Sequence, residues 1–228
     1  MSGLIIAIDG PSGSGKSSTS RGVARRLGLH YVDTGAMYRA MTWWMLEQGV
    51  DVDDPEAVAA RCGEPVIVLR DDPTDPGVSV DDQDVSADIR DAAVADAVSR
   101  VAAVPEVRER LVRSQRSMVD AAITAGTGVV MEGRDIGTVV LPGADLKIYL
   151  TADVEARAAR RALEESERSG SASVASAHAN LESRDALDTT RTVSPLQQAA
   201  DAIAIDGTHL SLDEVIDAVI RALPPDAQ

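Results

Sequence analysis

The chain has 228 residues, with 37 Asp and Glu against 22 Lys and Arg and a formal charge of −15. That disfavours a nucleic acid or an acidic membrane as partner, since either demands a basic stripe, whereas a small phosphate ligand remains open. The single Cys62 excludes an internal disulfide, and no signal segment or bilayer-length apolar run is visible, so the expectation is a cytoplasmic monomer with a buried thiol.

The length suits one domain, 1–223, carrying insertions. Its core must be built from Val, Ile, Leu, Ala and Met, because there is no Phe and there are only two Trp. The first strand, "LIIAI" at 4–8, runs into "DGPSGSGKSS" and then a helix over 15–27. Gly10, Gly15, Lys16 and Ser17 satisfy GxxxxGK(S/T) in the strand, loop and helix context that the motif needs. Glycines at 10, 13 and 15 allow a tight turn whose N–H groups face inward, and the helix dipole adds positive charge. Gly10, Pro11, Ser12, Gly13, Ser14, Gly15, Lys16, Ser17 and Ser18 are thus candidates to cradle ATP. Lys16 would reach the β and γ phosphates, and the Ser17 hydroxyl would ligate Mg2+. A Gly/Ser linker is the plain alternative, disfavoured by the flanking strand and helix.

"DTGAMYR", 33–39, places Asp33 and Thr34 at a turn opening a helix over 35–48, with Tyr38 and Arg39 one turn inside. Asp33 suits either an N-cap or a magnesium contact through water. From Glu64 to Asp88, short alternating runs split by Asp, Pro and Gly read as a small antiparallel patch inserted in an α/β chain. Helices follow over 91–101 and 105–124. "EGRDIGT", 132–138, leaves the strand 128–132 at its carboxyl end, where parallel sheets face their ligand crevice. After a strand at 146–150 and a helix over 153–167, Arg157, Arg160 and Arg161 adjoin the small, polar "SERSGSASVAS" of 166–176, which suits a mobile lid over 157–176. A helix over 173–187 leads into "SRDALDTTR", where Arg184, Asp188 and Arg191 share one helical face, a pattern that a solvated salt-bridge face also yields. A strand at 202–206, the capping box "SLDE" and a helix over 211–222 complete the alternation, and 224–228 reads as a disordered tail. Such alternation is the mark of a parallel sheet with helices on both faces.

Taken together, "IDGPSGSGKSS", "DTGAMYR", the patch ending "DVSADIR", "EGRDIGTVVLPGADLKIYL", "RAARR" and "RDALDTTRTVSPL" resemble the bacterial cytidylate kinase family, whose members move the γ-phosphate of ATP onto CMP or dCMP. The likeness spans nearly the whole chain. It implies that the patch enlarges a monophosphate-binding region and that the arginine-bearing lid is short. It also implies that Arg39, Arg134 and Arg191 surround the acceptor phosphate, and that Arg184 and Asp188 meet the ribose. Ser99, Arg108 and Asp135 would read the base, with Thr34 and Tyr38 packed around the same nucleotide. Arg157, Arg160 and Arg161 would close onto the ATP phosphates. Two departures are visible: Thr34 stands where the family often has Ser, and Ala186 and Leu187 replace residues that are often charged.

Rival readings are weaker. A GTP switch needs NKxD, yet the one Asn, Asn180, precedes Leu181. A metabolite kinase acting on a hydroxyl shares the P-loop but has no need of so many acceptor arginines or of the patch. A non-catalytic nucleotide-binding protein would leave the acceptor motifs without purpose. Among nucleotide kinases, UMP preference is the serious alternative.

Overall fold

Five parallel strands form the central sheet in the order β2-β6-β1-β7-β8. They are β1 (Ile5–Asp9), β2 (His30–Asp33), β6 (Val129–Gly133), β7 (Leu146–Thr151) and β8 (Ile203–Asp206). This computed structural model describes residues 3–169, 173–190 and 194–225.

The apolar runs of β1, β6 and β7 are buried on both faces because helices cover both sides. On one face α1 (Lys16–Leu27) and α8 (Leu212–Arg221) pack Val23, Val215, Ile216 and Val219 against Ile6, Ile8, Val130, Ile148 and Leu150. On the other, Val119 of α5 (Pro105–Thr124) meets Ala7, Val32, Val129 and Met131. Ser211 caps α8 by accepting from the Glu214 N–H, and the Glu214 side chain returns the bond to the Ser211 N–H, completing the capping box.

A third cluster belongs to the inserted region. Here α2 (Thr34–Glu47), α3 (Pro55–Arg61) and α4 (Ala92–Val101) enclose an antiparallel sheet of β3 (Ile67–Arg70), β4 (Gly77–Val80) and β5 (Gln83–Asp84). Its centre is Met37, Met41 and Met45 with Val80, Ile89, Val101 and Leu111. Flexible thioethers fill the space that phenylalanine would otherwise take. Cys62 is buried there, as its context suggested.

Two short elements go beyond the expectation. β2 is a four-residue edge strand with only two buried positions, too short for an alternation pattern to reveal. α3 is announced by Asp54, whose carboxylate accepts from the Glu56 and Ala57 N–H groups, and by Pro55 at its first position. The segment read as flexible, 166–176, is in large part helical: α6 spans Val154–Ser169 and α7 spans Val174–Thr190, with 170–172 outside the described residues. Most of 224–228, read from sequence as a disordered tail, lies outside the described residues as well, which end at 225.

Strand register sets up the site. Asp9 of β1 pairs with Gly133 of β6, and Asp33 of β2 pairs with Glu132, so four strand-end residues lie in one row at the carboxyl edge of the sheet.

Candidate active site

The loop after β1 wraps a cavity of about 470 Å³ whose lining includes Ser12, Gly13, Gly15, Lys16, Ser17 and Ser18. Gly15 sits at φ 92 as the N-cap of α1, a conformation side chains resist. Gly10 admits the close approach of β7, since a Cβ there would lie 2.0 Å from the Leu150 carbonyl oxygen. Lys16 is buried, at 6% exposure, although a loop lysine read from sequence suggests an exposed one. Its Nζ donates to the Pro11 carbonyl at 2.7 Å. Burial, with the nearby Arg134 guanidinium, pulls its pKa down to about 7. A polyphosphate would restore the charged form, so the cradle fits an anion.

Beside it stands Glu132, a residue that sequence reading passed over. It is 3% exposed, accepts from the Tyr31 hydroxyl, and hydrogen-bonds the Ser17 hydroxyl. Burial first, then the Asp33 carboxylate, raises its pKa. Its signal was a carboxylate ending an otherwise apolar strand. Asp9 is another such residue. Its oxygens accept from the Ile136 and Gly137 N–H groups at 2.8 and 2.7 Å, pinning the π-helical turn Ile136–Val140 that follows β6. Burial lifts the Asp9 pKa to about 6 despite those bonds.

The residues expected around the acceptor meet on the far side of the same cavity. Thr34, Tyr38, Arg39, Ser99, Arg108, Arg134, Asp135 and Asp188 all line it. Asp33 caps α2 by accepting from the Ala36 N–H at 2.9 Å, and its second oxygen takes the Arg39 Nη2 at 2.8 Å. The Thr34 hydroxyl donates to the Glu132 carbonyl at 2.7 Å. Arg108 and Asp135 form a buried ion pair, and the Arg108 guanidinium lies 5.5 Å from the centre of the Tyr38 ring. Arg134 Nε donates to Asp188 at 2.9 Å, tying β6 to α7. Arg184 is carried by α7, and Arg191 lies outside the described residues.

The lid arginines part ways. Arg161 lines the cavity. Arg160 donates to the Gly207 carbonyl. Arg157 is buried and donates to the Ala152 carbonyl at 3.0 Å, to the Ser12 carbonyl at 2.9 Å and to Asp185 at 2.5 Å. Asp185 in turn accepts from the Ser12 N–H at 3.2 Å. In this arrangement Arg157 and Arg160 are not among the residues lining the cavity, although the Arg160 guanidinium lies beside Gly15 of the phosphate loop; Arg157 joins α6, α7 and that loop. Nothing in the spacing of "RAARR" separates these three roles, because burial depends on what α7 brings against them.

Seven cationic side chains and four carboxylates line the cavity. The site therefore carries positive charge on a chain of −15, which selects small anions over long ones. No helix among the described residues is long and apolar enough to cross a membrane.

A solved unliganded sugar kinase from Janibacter sp. HTCC2649 aligns over 98% of this chain and 97% of its own at 17% identity and a TM-score of 0.49, too slight a likeness to argue from. Curated relatives are far nearer. The cytidylate kinases of Streptomyces avermitilis and Streptomyces coelicolor are each 54% identical, covering 95% of this chain and 91% of their own. That of Lactiplantibacillus plantarum is 44% identical over 96% of this chain and 94% of its own. The family model described as cytidylate kinase matches residues 6–224, and the chain belongs to the cytidylate kinase family.

Proposed function

We propose that this protein transfers the γ-phosphate of ATP to CMP or dCMP, giving ADP and CDP or dCDP, in the cytoplasm and as part of pyrimidine nucleotide metabolism. The observation that carries the reading is one continuous cavity with a phosphate loop on one wall and the buried Arg108–Asp135 pair on the other. A UMP-preferring enzyme is less well supported, because an ionised carboxylate accepts the cytosine amine and opposes the uracil carbonyl.

The reaction asks little covalent chemistry of the protein. The acceptor is a phosphate monoester whose second pKa is about 6, so the attacking oxygen is largely ionised without a general base. Transfer passes through a loose, in-line transition state, and catalysis rests on positioning and charge neutralisation. Lys16 serves the donor phosphates from inside the loop. Arg39, Arg134 and Arg191 serve the acceptor phosphate, with Arg134 held in orientation by Asp188. Ser99 completes base contacts with Arg108 and Asp135, while Arg184 and Asp188 address the ribose. Arg157, Arg160 and Arg161 serve the lid at 157–176, Arg161 facing the phosphates.

Mg2+ would be held by the Ser17 hydroxyl, which Glu132 anchors, and Asp33 would reach it through water. When bound it supplies neutralisation of the phosphate oxygens. The deciding experiment is a panel of CMP, dCMP, UMP, AMP and GMP with ATP and Mg2+. Preferential turnover of CMP and dCMP is expected, and preferential turnover of UMP would overturn the reading.

A further inference from the structure

Asp185 has no role in the reaction as derived so far, although in the sequence it stands between Arg184 and Asp188, which address the ribose. It is carried by α7 but is not among the residues lining the cavity, where α7 is represented by Asp188. Its carboxylate turns instead to the phosphate loop: Oδ1 accepts from the Ser12 N–H at 3.2 Å, and Oδ2 accepts from Arg157 Nη1 at 2.5 Å. Arg157 Nη1 also donates to the Ser12 carbonyl at 2.9 Å. Both backbone groups of Ser12 are therefore held from the side of α6 and α7. The fit is close, since a Cβ on Gly13 would lie 3.3 Å from Arg157 Cβ and 3.5 Å from Leu181 Cδ2.

The bond to the Ser12 N–H acts beyond the loop backbone. That N–H belongs to the same peptide unit as the Pro11 carbonyl, which accepts from Lys16 Nζ at 2.7 Å. The peptide is trans, so its N–H and carbonyl point to opposite sides of a rigid plane. Asp185 on one side and Lys16 on the other fix the rotation of that plane, and each bond polarises the peptide in the sense that strengthens the other. A lysine ammonium offers three donors, so Lys16 held on Pro11 keeps two for phosphate oxygens. One turn further along α7, Asp188 accepts from Arg134 Nε at 2.9 Å.

We infer that Asp185 is a positioning residue for the donor, aiming Lys16 through the Pro11–Ser12 peptide, so that α7 sets the donor lysine with one carboxylate and the acceptor-side Arg134 with another. The assignment rests on ATP as donor and CMP as acceptor.

The test compares wild type with Asp185→Asn, after circular dichroism and melting establish that the variant folds. Wild-type turnover of CMP with ATP is the control on the reading of function itself. In Asp185→Asn the Arg157 guanidinium, which only donates, keeps the amide oxygen, and the amide nitrogen is left facing the Ser12 N–H. The tie between α6 and α7 survives while the tie to the loop is lost. At saturating CMP, kcat/KM for ATP should fall by about 10- to 100-fold, the worth of a charge-assisted hydrogen bond, while the KM for CMP stays within about twofold. In a Lys16→Ala background the same substitution should cost less than about threefold, because the group it aims is gone. Asp185→Ala, free of the opposed N–H groups, carries the same comparison should Asp185→Asn not fold. Parallel losses toward ATP and CMP would assign Asp185 a merely structural role, and losses that multiply with those of Lys16→Ala would deny the link to Lys16; either overturns the inference. So would a fall in the KM for ATP, which would make the contact with Arg157 a latch that ATP must break.

Discussion

Replacing Asp135 by Asn should turn the acceptor preference toward UMP, and the structure says by how much. Asp135 and Arg108 are 6% and 4% exposed, so each is held almost wholly out of water by the other. Arg108 Nη2 uses one Asp135 oxygen, Oδ2, leaving Oδ1 for a base. In Asp135→Asn the buried guanidinium, which only donates, keeps the amide oxygen for itself, so the amide nitrogen turns to the cavity. The cytosine amine then meets a donor, and the uracil carbonyl meets a partner. Losing a charge-assisted bond to CMP costs about 1.5–3 kcal/mol, and a neutral bond to UMP contributes about 1 kcal/mol. The ratio of kcat/KM for CMP over UMP should therefore fall by about 100- to 1000-fold. Asn still accepts from Arg108, so the variant avoids the loss of about 3–5 kcal/mol expected when Asp135→Ala strands a buried charge. The assay is steady-state kinetics with each acceptor at saturating ATP and Mg2+, alongside thermal melts. Equal declines for CMP and UMP would refute base reading and leave the pair as a brace for the loop after β6.

Lys16→Ala should lower turnover by about 100- to 1000-fold or more, as for other preorganised charges at a transition state. The melting temperature should be unchanged or higher, since burial already strains this lysine; a large loss of stability would contradict this. The Asp9 pKa is raised in the folded state, so its stabilising contribution is complete below pH 3.8 and is lost as pH rises through about 6. Against Asp9→Asn, the relative stability of wild type should therefore decline by about 2 kcal/mol from pH 4 to 7, and a rise over that range in chemical denaturation would reverse the assignment. Hydrogen exchange over 157–176 should slow when ATP and CMP are both bound, and unchanged exchange would show a static helix pair.

Much of the fold is written locally. The apolar runs of β1, β6 and β7, the glycine spacing around Lys16 and the cap at Ser211 depend on residues near one another in the chain, and propensity, periodicity and capping act at that range. β2 was not legible, because a four-residue edge strand has too few positions to show a period. The acceptor wall was legible only through resemblance, since Ser99, Arg108 and Asp135 meet from α4, α5 and the loop after β6. Burial and pairing belonged to the tertiary structure alone. It buried Lys16 beside Glu132 and spent Arg157 on Ser12 and Asp185 rather than on the cavity. A charge on a helix looks the same in sequence whether it faces water, a carboxylate or a ligand, and what packs against it, from residues far along the chain, decides among them.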